Sequence, residues 1–165
     1  MSTFVSVGNS KQPFTRLLEA VCKLAPQFPQ PVFVQFGSAQ VFACPSCSGI
    51  SFIEMNEFNQ QVDSAELLIF HAGAGSVINA IRAGKIPVLV PRRHEMGELV
   101  DDHQIEFARN LEKTGKVIVA YDVEMLSQAA YSALERQRMV DKTFIVEPPL
   151  VGMVRSSIAK AVGRR

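Results

Sequence analysis

Residues 67–84 read Leu-Leu-Ile-Phe-His-Ala-Gly-Ala-Gly-Ser-Val-Ile-Asn-Ala-Ile-Arg-Ala-Gly, a glycine-broken turn set between an apolar run and a helical pattern. Gly73 and Gly75, with Ala74 between them, let the backbone pass close to a ligand. The first free N–H groups of the following helix point at whatever occupies the turn. That chemistry suits an anion. Ser76 either caps the helix or gives its hydroxyl to a phosphate. Taken alone, the same pattern also serves as a tight strand-to-helix connection.

The turn departs from two well-known phosphate loops. Gly73-Ala-Gly75-Ser-Val-Ile78 has no third glycine, no acidic residue stands about twenty positions on at a second strand end, and no Gly-Lys-Ser/Thr follows. The expected ligand is therefore an anionic nucleotide bound by another geometry. A second chemical segment, Val88-Leu-Val-Pro-Arg-Arg-His-Glu-Met-Gly-Glu-Leu-Val-Asp-Asp-His-Gln104, leaves a strand that ends at Val90. In a parallel sheet it departs from the same carboxyl edge as the turn after His71, the edge where ligands bind. Arg92 and Arg93 can fork phosphates, and Asp101, Asp102, His103 and Gln104 offer partners for hydroxyls. The competing reading is a solvated loop with Asp102 capping the next helix. His71 reads as a structural histidine ending a buried strand, and His94 as loop surface.

Cys44-Pro-Ser-Cys47 lacks the second ligand pair of a structural zinc site and does not open a helix, so neither metal nor redox chemistry is expected of it. Cys22 falls in an apolar helical stretch and reads as packing. Three cysteines, an odd number, fit a reducing cytosol better than a disulfide scaffold.

These residues need a frame. Runs rich in β-branched and aromatic residues near Thr3–Val7, Val32–Phe36, Gly49–Ile53, Leu67–His71, Ile86–Val90 and Lys116–Ala120 alternate with helical patterns. The helices fall at about Phe14–Ala25, Met55–Ser64, Ser76–Ala83, Leu99–Lys113 and Val123–Arg138, with Gly84 and Gly115 as C′ residues. The fold class is α/β: a Rossmann-like parallel sheet of about six strands with helices on both faces.

At 165 residues and 18.2 kDa the chain suits one compact domain, expected over residues 1–150. Residues 151–165 form a basic amphipathic C-terminal helix in this reading, fit to dock on a partner, lie on an anionic membrane or close the core. A net charge of +1 gives no electrostatic case for nucleic acid. No signal peptide is expected at Met1-Ser-Thr-Phe-Val-Ser-Val, and no run approaches the roughly 18 apolar residues of a membrane span.

Four motifs in order carry a resemblance: Thr3-Phe-Val-Ser-Val-Gly-Asn-Ser-Lys-Gln-Pro-Phe-Thr-Arg-Leu17, His71-Ala-Gly-Ala-Gly-Ser76, Gly84-Lys-Ile-Pro-Val-Leu-Val-Pro-Arg92 and Gly97-Glu-Leu-Val-Asp-Asp-His-Gln104. They look like the C-terminal domain of glycosyltransferase family 28. In particular they resemble stand-alone donor-binding subunits of bacterial exopolysaccharide glycosyltransferases. Those are similar to the soluble subunit of the eukaryotic enzyme that adds the second N-acetylglucosamine to the dolichol-linked oligosaccharide. The resemblance implies one half of a GT-B fold, cytoplasmic and peripheral at the inner face of the plasma membrane. It also implies a membrane-associated acceptor-binding subunit as partner, through which a lipid-linked acceptor is met.

By the same resemblance Gly8, Asn9 and the turn Gly73–Ser76 face the diphosphate and sugar of a UDP-sugar, Asn79 lies near the ribose, and His103 and Gln104 lie near the transferred sugar. Asn9 and Asn79 stand where many relatives have Thr and Glu. Sugar transfer needs stabilisation of the departing diphosphate and deprotonation of the acceptor hydroxyl. The amides at Gly75 and Ser76 suit the first task, with Arg92 as the cation. No Asp-x-Asp triplet implies a metal, and no cofactor beyond the UDP-sugar substrate is expected. The base is unknown, with His103 the candidate on this chain and the partner subunit the expected source. The rival readings are a non-catalytic nucleotide-sugar-binding activator subunit and a flavodoxin-like domain for an unrelated nucleotide.

Overall fold

The computed structural model describes residues 2–39 and 42–140. Six strands form one parallel sheet: β1 (Thr3–Ser6), β2 (Val32–Gln35), β3 (Cys47–Ile50), β4 (Leu67–His71), β5 (Val88–Val90) and β6 (Ile118–Val119). Their order is β3-β2-β1-β4-β5-β6, and every pair runs parallel. This is the Rossmann order, in which the direction of winding reverses between β1 and β4. It is not the flavodoxin order, so that rival reading is set aside.

Side chains alternate across the sheet, and both faces are covered, as a parallel sheet requires. Val5, Val7, Val32, Val34, Ile69 and Val90 pack under α1 (Thr15–Leu24) and α5 (Leu126–Met139). Phe4, Leu68, Phe70 and Leu89 pack under α2 (Met55–Ser64), α3 (Ala74–Arg82) and α4 (His103–Glu112). On that second face Phe4 meets Phe58 and Phe70 edge-on, with ring centroids 5.2 and 5.7 Å apart. Such pairs add about 0.5–1.5 kcal/mol beyond area burial.

The differences from the expected boundaries have local causes. β3 begins at Cys47 rather than Gly49, pairing Cys47 with Val32. β5 begins at Val88 rather than Ile86, because Pro87 has no N–H and the Ile86 amide donates to the Gln137 side chain at 2.8 Å. α3 begins at Ala74 rather than Ser76, which places Ser76 inside the first turn and removes its capping role. α4 begins at His103 rather than Leu99. Asp101 Oδ1 accepts the His103 amide at 3.1 Å and Asp102 Oδ1 accepts the His94 amide at 3.0 Å, so the Asp pair ends a loop instead of continuing a helix. The expectations for 141–150 and for the helix at 151–165 lie outside the described residues.

The cysteines correct the sequence reading more sharply. Cys22 on α1 is disulfide-bonded to Cys44 in the connection between β2 and β3, and Cys47 keeps a free thiol. The odd cysteine count pointed away from a disulfide, and Cys22 read as packing. Only the placement of α1 against that connection brings Cys22 and Cys44 together across 22 residues.

Candidate functional site

The winding reversal puts the carboxyl ends of β1 and β4 side by side, so the turn at Gly8–Ser10 and the turn at Ala72–Gly75 flank one crevice. Between them stands His71. A Cβ at Gly8 would lie 2.5 Å from its Nε2, and one at Gly73 would lie 2.8 Å from its Cδ2, so both turns close on the imidazole only as glycine. Gly8 also has φ of 75°, a conformation side chains disfavour. Burial, together with the charge of Arg92, lowers the His71 pKa to about 4 against a hydrogen bond with the Ser6 carbonyl. The imidazole is therefore neutral at pH 7.

Above His71, α3 starts with Gly73 in the N-cap position, and the Val77 amide is the first to find a partner inside the helix, the Gly73 carbonyl at 3.2 Å. Helix geometry leaves the N–H groups of Ala74, Gly75 and Ser76 without intrahelical acceptors. A Cβ at Gly75 would meet nothing within 4 Å, so the flank of the helix start at this glycine is open. Three aligned donors at a positive helix end make an anion cradle.

The first turn is held from behind. Gln35, buried in β2, donates from Nε2 to Asn9 Oδ1 at 2.9 Å and accepts from Ser6 Oγ at 2.5 Å. Ser38 Oγ donates to the Ser10 carbonyl at 2.7 Å. Arg92 completes the support and corrects the sequence reading. Its side chain is 1% exposed, so it does not stand in the open crevice as a counter-cation. It donates to the carbonyls of Val7 (2.9 Å), Gln12 (2.8 Å) and Glu98 (3.1 Å), and its guanidinium sits 4.6 Å from the Phe14 ring centroid. Burial pulls its pKa down to about 10, with Glu98 opposing and Arg16 adding to the shift, and it stays charged at neutral pH. Arg93 turns to Asp122 and the Tyr121 carbonyl, each at 2.7 Å.

The remaining candidates divide by exposure. Gln104 is buried and accepts the Arg92 amide at 3.1 Å, which ties α4 to the end of β5. His103 is exposed, and its Nδ1 pairs with Asp101. Slight desolvation raises the Asp101 pKa, but hydrogen bonds from the His103 amide and ring, with the charges of His103 and His94, outweigh it and leave a net lowering. Asn79 lies one turn further along α3, with Nδ2 3.4 Å from Asn59 Oδ1 on α2. His94 is exposed on its 3-10 turn. Sequence reasoning missed the part of His71 between the two glycines, of Gln35 behind the first turn, and of Glu98, whose carbonyl accepts from Arg92. A histidine directly before a Gly-x-Gly turn was the available signal for the first.

The sequence pattern of the glycosyltransferase family 28 C-terminal domain matches residues 3–139. This chain belongs to that family. The family 28 domain is similar to the UDP-N-acetylglucosamine transferase subunit ALG13 of Yarrowia lipolytica, 34% identical over 92 residues, covering 53% of this chain and 45% of the relative. It is also similar to the ALG13 subunit of Cryptococcus neoformans, 45% identical over 67 residues, covering 39% of this chain and 32% of the relative. The matched part thus spans less than half the length of either relative. Among solved structures, MurG of Acinetobacter baumannii superposes with a TM-score of 0.58 at 25% identity, over 84% of this chain and 42% of that one. The fold is accordingly the α/β fold of one GT-B half. No helix among the described residues is long and apolar enough to cross a membrane.

Proposed function

We propose that this chain is the UDP-sugar-binding catalytic subunit of a two-component hexosyltransferase, building a lipid-linked exopolysaccharide repeat unit with a membrane-associated acceptor-binding partner. The observation that carries the reading is the crevice between the β1 and β4 turns, where three helix amides without intrahelical acceptors stand at an open flank beside a neutral His71. The diphosphate of the donor lies on the amides of Ala74, Gly75 and Ser76, with the Ser76 hydroxyl as a fourth donor, and Gly8 and Asn9 close the opposite side. A neutral imidazole beneath the cradle adds no charge, so the helix end and hydrogen bonds carry the departing diphosphate and no resident metal or cofactor is required. Asn79 lies next along α3 for the ribose. The names of the two fungal relatives nominate UDP-N-acetylglucosamine as the first donor to test.

On the acceptor side, His103 is the base candidate on this chain. Asp101 engages its Nδ1, which orients the ring, as a carboxylate behind a catalytic imidazole does. The partner supplies the remaining acceptor contacts and holds this subunit at the cytoplasmic face of the membrane. The alternative, a non-catalytic activator, differs in one outcome: substituting Ser76 or His103 would then weaken assembly with the partner, where the catalytic reading expects transfer to collapse with the complex intact.

The test is calorimetric titration of the purified chain with UDP, alone and in complex with the partner. Saturable binding weakened roughly 3- to 10-fold by Ser76→Ala is expected, the size of one lost hydrogen bond. No UDP binding by either preparation would sink the reading.

A further inference from the structure

The three cysteines play no part in the crevice, yet they meet at one point. Cys44 Sγ is bonded to Cys22 Sγ and lies 3.3 Å from the free Sγ of Cys47. The Cys47 amide donates to the Cys44 carbonyl at 3.1 Å, so the Cys44-Pro-Ser-Cys47 turn itself brings those two sulfurs together. Cys44 is 9% exposed, while Cys22 and Cys47 are each partly exposed. Cys22 also lines a cavity of about 890 Å³ shared with Lys11, Pro13, Leu18, Ser38 and Phe42, which gives small thiols and alkylating reagents a way in.

We propose that Cys22, Cys44 and Cys47 form a thiol–disulfide exchange site in which Cys47 displaces Cys22 from Cys44. Cys47 first gives its proton to solvent. Its thiolate forms a new S–S bond to Cys44 Sγ as the Cys44–Cys22 bond breaks, and the electron pair leaves on Cys22 Sγ, which takes up a proton. Electrons balance without an external oxidant. Cys44 is the shared electrophile because its sulfur is bonded to Cys22 and lies 3.3 Å from the free Cys47 thiol.

Exchange changes what is cross-linked. A bond spanning 22 residues, which ties α1 to the connection leading into the edge strand β3, becomes one spanning three residues between that connection and the first residue of β3. Closing the longer loop restricts the unfolded chain more, so the two isomers differ in stability and can be told apart. Burial raises the Cys47 pKa and keeps its thiolate scarce at neutral pH, which slows interconversion enough for trapping.

The experiment is disulfide mapping of the full chain. The protein is held in glutathione with oxidised glutathione in excess, quenched with acid at intervals, alkylated with N-ethylmaleimide and analysed by mass spectrometry. Two species are expected: Cys22–Cys44 with alkylated Cys47, and Cys44–Cys47 with alkylated Cys22. The Cys22→Ser variant should form Cys44–Cys47 in the same buffer. Cys22–Cys44 as the sole bond at every interval, or three alkylated thiols, would overturn the proposal. The wild-type map decides even where the variant fails to fold.

Discussion

The His71 imidazole occupies the space that a side chain at Gly73 would need: a Cβ there would lie 2.8 Å from Cδ2, and Gly8 closes on the same ring. Two turns from distant parts of the chain are thus fitted to one flat side chain. Gly73→Ala and Gly8→Ala should each cost roughly 1–3 kcal/mol, as overpacking does, with Gly8→Ala the worse because its φ is 75°. Gly75→Ala meets nothing and should leave stability unchanged or slightly raised, while weakening UDP binding. Urea denaturation of the three variants checks the ranking. Pairing Gly73→Ala with His71→Ala should recover much of the loss, since residues in contact are not additive.

The pH dependence of stability follows from the same ring. In the unfolded chain His71 titrates near 6.5, and in the folded protein at about 4, so between those values the unfolded state binds more protons. The His71 contribution is therefore fully present above pH 6.5 and declines as pH falls toward 4, by up to about 1.4 kcal/mol per pH unit. Denaturation midpoints measured from pH 7.5 to 4 should show this loss in the wild type. A His71→Asn variant should be flatter over that window, and equal slopes would refute the assignment.

Arg92 shows where the sequence was legible and where it was not. The run from Val88 through Gln104 announced a strand leaving a charged loop at the ligand edge, and the β1, β2, β4 and β5 patterns located the sheet, because alternation and glycine punctuation are local properties. Whether a guanidinium faces solvent or the interior is not local. Arg92 goes inward because the β1 turn presents the carbonyls of Val7 and Gln12 to the end of β5, a meeting that exists only after the sheet forms. For the same reason Cys22 and Cys44 could not be paired by inspection, whereas Gly73, Gly75 and Ser76 could be placed on one turn.

Replacing Arg92 should damage the fold first and binding second. Arg92→Met leaves the carbonyls of Val7, Gln12 and Glu98 without their donor, and removing one partner of a buried charged network costs about 3–5 kcal/mol. Arg92→Lys should recover only part of this, since an ammonium cannot span acceptors on both sides of the turn as the planar fork does. Thermal unfolding gives the ranking wild type, Lys, Met. A direct phosphate contact would instead predict Arg92→Met to be as stable as wild type with UDP binding lost.

Cys22→Ser removes the tie between α1 and the β2–β3 connection. Under non-reducing conditions this should cost roughly 2–4 kcal/mol, the range for cross-links of this loop length, and addition of reductant should lower the wild-type melting temperature toward that of the variant. The variant itself should respond little to reductant, because its remaining pair closes only a three-residue loop. Ser38, whose hydroxyl donates to the Ser10 carbonyl, lies six residues before Cys44, so the tied connection also backs the first turn of the crevice. UDP affinity of the wild type should accordingly be higher in the oxidised state than after reduction. Equal affinities would confine the disulfide to stability and separate it from the site.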